Sequence, residues 1–180
     1  MRQRVVGQAA GRVLEIGLGT GLNLSYYPAA VRHISSVDVN PGMHRFAQRR
    51  AAETDVLIDH YTASAERLPF EDDTFDTVIS TWTLCSIDDV AAAMREVRRV
   101  LTPGGRFLFV EHGLARDNLN LQRWQHRLNP INRAVGGGCN LNRDMRAIIT
   151  NALTIQTMDE FYLKGVTRLG GYTYCGVGVK

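Results

Sequence analysis

The chain has 180 residues, 44% hydrophobic and 22% charged, with 21 basic against 18 acidic side chains for a net charge of +3. A composition this ordinary excludes disorder along its length, and 180 residues suffice for one domain with a sheet covered on both faces, so residues 1–180 are read as a single domain. The small basic excess demands no anionic partner, and no interleaved aromatic and basic run marks a nucleic-acid track. Cys85, Cys139 and Cys175 are widely separated and lack paired spacing, so neither a metal site nor a disulfide framework is expected, and a reducing, cytoplasmic setting fits. No stretch is apolar and long enough to span a bilayer, and the start lacks a signal-peptide core; peripheral membrane contact and oligomeric state stay open.

Residues 1–12 form a short lead-in with room for a helical turn, followed by a strand over Arg12–Ile16. Gly17-Leu18-Gly19-Thr20-Gly21 ends it, and a short helix is predicted from near Asn23, cut off by Pro28. His33–Val39 reads as the second strand. Asn40-Pro41 opens a helix, proline being tolerated in the first turn, with Met43, Phe46 and Ala47 at helical spacing. Val56–Tyr61 and Phe75–Ser80 read as strands three and four. Asp88 or Asp89 caps a helix over Val90–Leu101, Pro103-Gly104-Gly105 is a stop and turn, and Arg106–Glu111 is the fifth strand. Beyond it the pattern is less regular. A helix over Leu119–Leu128, with Leu121, Trp124 and Leu128 on one side, is interrupted at Asn129-Pro130, and Gly136-Gly137-Gly138 is a flexible break. Asn142 caps a helix from Arg143 towards Ala152, and Ile155–Met158 and Tyr172–Val179 are the last strands. Alternating strands and helices predict an α/β fold with a mostly parallel sheet and right-handed crossovers.

The strand, glycine turn, helix, strand order at the start is that of a nucleotide-binding unit. Glycine at such a turn adopts dihedrals other residues avoid and lets a ligand approach the main chain. Asp38, ending the second strand, is placed to accept both hydroxyls of a ribose. The spacing Gly17-x-Gly19-x-Gly21 departs from the dinucleotide pattern, and Glu15 inside the strand would repel a pyrophosphate but can face the positive end of S-adenosylmethionine. A phosphate-binding Walker loop is excluded, because no Gly-Lys-Ser/Thr follows.

This organisation resembles the class I S-adenosylmethionine-dependent methyltransferases over nearly the whole chain. Glu15–Gly21 looks like their first cofactor motif, Asp38 like their ribose-binding acid, and Ser64–Phe70 like the loop bordering adenine; Phe75–Ser80 and Leu101–Gly105 match their fourth strand and the turn before the fifth. The resemblance implies a Rossmann-like seven-stranded sheet, mostly parallel, with helices on both faces and an antiparallel final strand. It implies S-adenosylmethionine as cofactor, S-adenosylhomocysteine as product, and cofactor contacts at Glu15, Gly17, Gly19, Gly21, Asp38, Asn40, Met43, Ser64, Ala65 and Thr81. Glu66 has a rival role as a loop-stabilising carboxylate, and Leu84 lies near the methyl-transfer mouth with Thr81.

A narrower resemblance lies in the second half. Glu111-His112-Gly113, Trp124-Gln125, Asn129-Pro130, Gly138-Cys139-Asn140-Leu141 and Asn142-Arg143 look like the membrane-associated thiol S-methyltransferases of animals, and bacterial small-molecule and phospholipid N-methylases share parts of the pattern. The chain departs in lacking their long apolar amino-terminal segment, and its short lead-in leaves little material for a substrate lid. The expected function is methyl transfer to a small-molecule acceptor, thiols ahead of amines, phospholipids and oxygen nucleophiles; a non-catalytic cofactor-binding regulator is the alternative. Methyl transfer from a sulfonium is a direct displacement, and a thiol acceptor reacts as thiolate, so a base helps. His112 either serves as that base or holds the strand-to-loop turn. Tyr27, Trp124, His126 and Arg143 are candidate acceptor contacts, each with a packing or surface role as its rival, and Cys139 reads as structural. A nucleic-acid methylase is disfavoured: Thr81-Trp82-Thr83-Leu84 stands where an Asn-Pro-Pro-Tyr-like motif belongs.

Overall fold

The computed structural model describes all residues, 1–180. Its elements are α1 (Arg2–Val6), β1 (Val13–Ile16), β2 (His33–Asp38), α2 (Pro41–Ala51), β3 (Leu57–Thr62), β4 (Phe75–Thr81), α3 (Val90–Val100), β5 (Leu101–His112), α4 (Leu119–Val135), α5 (Met145–Thr150), β6 (Thr154–Tyr162), α6 (Arg168–Gly171) and β7 (Tyr172–Val179). Seven strands form one sheet in the order β3-β2-β1-β4-β5-β7-β6. The first five are mutually parallel, and β7 inserts antiparallel between β5 and β6. No helix is long and apolar enough to cross a membrane.

Strand periodicity divides the core. Leu14, Ile16, Val78, Phe107 and Phe109 join one cluster with Met94 and Val97 of α3, whereas Val13, Ile79, Leu108 and Val110 join a second with α1 and Ala47. Successive side chains of a strand point to opposite faces, so a strand buried on both sides reads as a continuous apolar run, as β5 does. Strand order reverses between β1 and β4. The chain beyond β1 turns to one side and the chain beyond β4 to the other, which opens a crevice at their carboxyl ends.

Helix starts follow local chemistry. Asn40 caps α2 by accepting from Gly42 N at 2.9 Å, with Pro41 in the first turn, and Asp89 caps α3 by accepting from Ala92 N at 2.9 Å.

Three expectations are corrected. The helix predicted from Asn23 is only a 3₁₀ turn, Leu24–Tyr26, because Asn23 and Tyr27 on either side turn their polar groups to Glu15. The interruption at Pro130 does not occur: α4 runs unbroken to Val135. Proline deprives the His126 carbonyl of its helical partner, but that stretch is exposed, and three side chains one to two turns apart fasten the opposite face. Gln125 accepts from Ala115 N and donates to Gly113 O and Leu169 O, Asn129 accepts from Leu141 N, and Asn132 donates to Cys139 O. The inward seam of α4 is therefore amide-bearing, and Trp124 lies outside it, 55% exposed. Finally, α5 begins after Asp144, not Asn142: Asp144 accepts from Ala147 N at 3.1 Å, while Arg143 is held extended by Leu114 N on its carbonyl.

Candidate active site

A cleft of about 360 Å³ opens at the crevice, bordered by Ile16 ending β1 and Gly17 of the first turn, Asp38 ending β2, Ser64 and Ala65 after β3, and Trp82 and Thr83 after β4. Gly17, Gly19 and Gly21 all have positive φ. At Gly17 a Cβ would stand 2.3 Å from Thr83 Oγ1, and at Gly21 2.8 Å from Leu24 and 3.1 Å from the Ala47 backbone, so both conformation and space require glycine. Asp38 accepts from Gly19 N at 3.1 Å through Oδ2 and from Asn40 N at 2.9 Å through Oδ1, which ties the two adjoining turns to one carboxylate. Ser64 Oγ accepts from Glu66 N at 3.2 Å, and Glu66 Oε1 accepts from Asp89 N at 2.8 Å. Glu66 thus fulfils its loop-stabilising reading while also bordering the cleft.

Glu15 is fully buried at the end of β1. Its carboxylate accepts from Asn23 Nδ2 at 2.7 Å and from Tyr27 OH at 2.6 Å. Burial raises its pKa to about 7, against the opposing pull of those hydrogen bonds and of Arg2. Thr81 Oγ1 accepts from Asn23 Nδ2 and from Arg2, each at 3.1 Å. Arg2 also donates to Asn23 Oδ1, and its guanidinium lies 4.7 Å from the centre of the Trp82 ring. The lead-in therefore reaches the cleft rim through Arg2. Trp82 itself has φ of 53°, a conformation bulky residues avoid and one that clusters at functional sites.

At the same carboxyl end of the sheet, β5 ends in Glu111 and His112. Glu111 is fully buried, accepting from Ser80 Oγ at 2.7 Å and Thr83 N at 3.0 Å through Oε1, while Oε2 has no partner. Burial raises its pKa. His112 Nε2 lies 2.9 Å from Cys139 Sγ, and its Nδ1 is buried without a partner. Burial pulls the His112 pKa down, but the Cys139 hydrogen bond and charge and the Glu111 charge raise it on balance. Cys139 is lowered by hydrogen bonds from Cys85 and His112, and Cys85 is raised by the same thiol contact and by burial. The reading of Cys85 and Cys139 as offering no metal arrangement rested on linear spacing. Folded, their Sγ atoms and a ring nitrogen of His112 all lie within 4.8 Å of one another.

The other expected site residues are placed as follows. Asn40 is an exposed cap, and Met43 sits half-buried in the same first turn. Tyr27 donates its hydroxyl to Glu15. Leu84 is completely buried in the core. Arg143 donates to the carbonyls of Leu84, Ile87 and Asp88, clamping the loop after β4. His126 is exposed and faces Asn142, Nδ1 to Nδ2 at 3.0 Å, and Trp124 lies under the Arg127 guanidinium. Sequence reasoning missed Arg2, Asn23, Trp82 and Cys85. Asn23 two residues after Gly21 carried a signal, as an amide within reach of Glu15; the others are brought in by chain distant in sequence.

The methyltransferase domain family matches residues 14–109, from β1 to β5. The human thiol S-methyltransferase TMT1A is 36% identical over 135 residues, covering 73% of this chain and 55% of that protein. A demethylmenaquinone methyltransferase of Clavibacter sepedonicus is 35% identical over 109 residues, covering 60% of this chain and 44% of that protein. The chain thus spans about half the length of these relatives. The crystal structure of the YcgJ protein of Bacillus subtilis superimposes with a TM-score of 0.72 at 22% identity, covering 100% of this chain and 96% of the other. A family match over more than half the chain, laid on a glycine turn, a buried Glu15 and a strand-end Asp38, makes this protein a member of the class I S-adenosylmethionine-dependent methyltransferases.

Proposed function

We propose that the protein methylates the thiol of a small-molecule acceptor by direct displacement from S-adenosylmethionine. The observation that carries the cofactor part is the cleft at the β1–β4 crevice, edged by the positive-φ Gly17 and by Asp38, with Glu15 buried in β1 two residues before Gly17. When bound, S-adenosylmethionine supplies an electrophilic methyl group on a sulfonium. Asp38 accepts the ribose hydroxyls, Ser64 and Ala65 border the adenine with Met43 and Asn40 alongside, and Glu15 offers a carboxylate to the positive amino-acid end. A dry, charge-complementary end of this kind favours a cation over a pyrophosphate. Trp82 and the Arg2 segment exclude water from the rim, which suppresses competing hydrolysis.

Thiol selectivity is supported by the identity to thiol S-methyltransferases and by the polar group at the end of β5, where His112 takes or shares the acceptor proton. Tyr27 and Arg143 serve that chemistry indirectly, the first through Glu15 and the second by holding the loop after β4. Leu84, Trp124 and His126 belong to the acceptor side only if that loop and α4 shift on binding. A reducing cytoplasmic setting is part of the proposal, supported by three free thiols, as is action of residues 1–180 as one domain.

Calorimetry with S-adenosylmethionine and S-adenosylhomocysteine tests the cofactor reading; binding of neither removes it. Mass spectrometry of thiol, amine, phospholipid and quinol panels tests the acceptor. Methylated thiols are expected, with a loss in His112→Ala. Methylation confined to quinol carbon would instead match the C-methyltransferase named for a ubiquinone/menaquinone biosynthesis relative. Cofactor binding with no product in any panel would leave a regulator.

A further inference from the structure

Three donors from three separate segments converge beyond the carboxyl ends of β4 and β5: Cys85 from the loop after β4, His112 from the end of β5, and Cys139 from the loop after α4. Their ligating atoms lie within 4.8 Å of one another, and Cys139 Sγ is 2.9 Å from His112 Nε2. Around a tetrahedral zinc ion, with Zn–S near 2.3 Å and Zn–N near 2.0 Å, the ligand atoms stand about 3.5–3.8 Å apart, so the His112–Cys139 pair must open by about 0.6 Å and the other two pairs need close by no more than about 1.3 Å. Side-chain rotation about χ1 supplies such shifts.

The surroundings hold these donors in place. The Cys85 carbonyl accepts from both Asn140 N and Asn140 Nδ2, each at 2.9 Å, so the Cys139 loop is fastened directly onto the Cys85 loop. Asn132 Nδ2 donates to Cys139 O at 2.8 Å, and Arg143 clamps the Cys85 loop from its far side. One buried carboxylate oxygen without a partner, Glu111 Oε2, belongs to the residue next to His112. Such atoms are rare in native proteins and call for an explanation. Cys85 and His112 are buried while Cys139 is half-exposed, so the cluster opens to solvent on the Cys139 side.

We propose that Cys85, His112 and Cys139 bind one zinc ion whose fourth position takes the acceptor thiolate. Two thiolates and an imidazole suit zinc by softness, and three protein ligands with an open position define a catalytic site, not a structural one. This rests on the thiol reading above and deepens it: His112 ligates the metal through Nε2 as neutral imidazole, its proton on Nδ1, and in place of the proton-accepting role given above it acts on the acceptor through the metal. On zinc binding, Cys85 and Cys139 each release a proton to solvent, and the acceptor thiol releases a third as its sulfur joins the metal. An electron pair of that sulfur then forms the bond to the methyl carbon while the carbon–sulfonium bond breaks, its pair staying on the departing sulfur. The metal remains divalent throughout, and the thioether, a weak neutral ligand, leaves.

The test uses the full chain loaded with Zn²⁺ or Co²⁺ and exhaustively dialysed. One metal ion per chain is expected by elemental analysis, and the Co²⁺ form is expected to show thiolate charge-transfer absorption that intensifies when ethanethiol is added without cofactor. Cys139→Ser and His112→Gln should each weaken retention by more than the roughly 10–100-fold that loss of an outer partner costs. Retained S-adenosylhomocysteine binding by calorimetry certifies that these variants are folded. No metal retained, undiminished retention in both variants, or a cobalt spectrum indifferent to ethanethiol overturns the site. Metal-free protein that methylates thiols at the full rate overturns it while leaving the thiol reading intact. Metal and thiol binding as expected, with no thiol methylated, supports the site and removes the thiol reading instead.

Discussion

The two halves proposed for this site, one for the cofactor and one for the acceptor, are built by different means. Around the cofactor cleft, backbone does most of the work: three positive-φ glycines, two turns tied to Asp38, and strand ends presenting Glu15 and Asp38. Around the acceptor, side chains from β4, β5 and α4 meet across long stretches of sequence, joined by the amides of Gln125, Asn129, Asn132 and Asn140. The first half is local and rigid, so it tolerates little change. The second is an assembled polar network, in which one lost partner unsettles several others.

The sharpest contrast comes from Gly17→Val. A β-branched side chain at φ of 69°, with its Cβ in Thr83, incurs backbone strain and a clash. The strain alone costs about 1–3 kcal/mol, so with the clash we expect on the order of a 100-fold loss of S-adenosylhomocysteine affinity by calorimetry. Unchanged affinity would show that the turn is not the cofactor's cradle.

Glu15→Gln probes the same half through pH. The folded protein holds the Glu15 proton up to about 7, whereas the unfolded chain releases it near 4.5. Between those values the native state binds more protons, so this group's contribution makes stability fall as pH rises, by about 3 kcal/mol in total. The variant should lack that slope in urea unfolding between pH 4.5 and 8, gain stability at the alkaline end, and bind cofactor more weakly. A slope identical to the native protein's would mean that Glu15 is charged throughout.

Asn140→Ala addresses the acceptor half. It removes donors to the Cys85 and Gly138 carbonyls and the acceptor for Asn129, a buried loss of about 1–3 kcal/mol. Thermal unfolding should occur at lower temperature and turnover should drop, with cofactor affinity held. A parallel fall in cofactor affinity would show that the two halves are one cooperative unit. The smallest effect is expected from Trp124→Ala: the ring is more than half exposed, so stability should stay within about 0.5 kcal/mol. A raised KM for acceptor would place Trp124 in the acceptor site despite its exposure.

What could be read from residue order follows this division. The first five strands, the cap at Asn40, one of the two candidates for the α3 cap, and the turn at Gly17 with Asp38 ending β2 were legible because hydrophobic period, turn chemistry and capping are short-range and leave their mark within a few positions, whereas Ser64 and Ala65 were picked out only by resemblance to a family loop. The continuity of α4 through Pro130 was not, since propensity marks proline as a stop while the bonds that override it come from residues such as Leu141 and Cys139. The inward seam of that helix misled for a related reason: a search for apolar stripes selects Trp124 and passes over Gln125, whose burial is purchased by three distant backbone groups.

The amino-acid sequence alone determined that this chain makes an α/β sheet with a glycine-rich first turn, because those features are encoded by neighbours along the chain. Only the tertiary structure decided that Arg2 closes over Trp82, that Glu15 is sealed by Asn23 and Tyr27, and that Cys85, His112 and Cys139 form one cluster. Such contacts depend on which loops the sheet order brings to the same end, and spacing in one dimension carries no record of it.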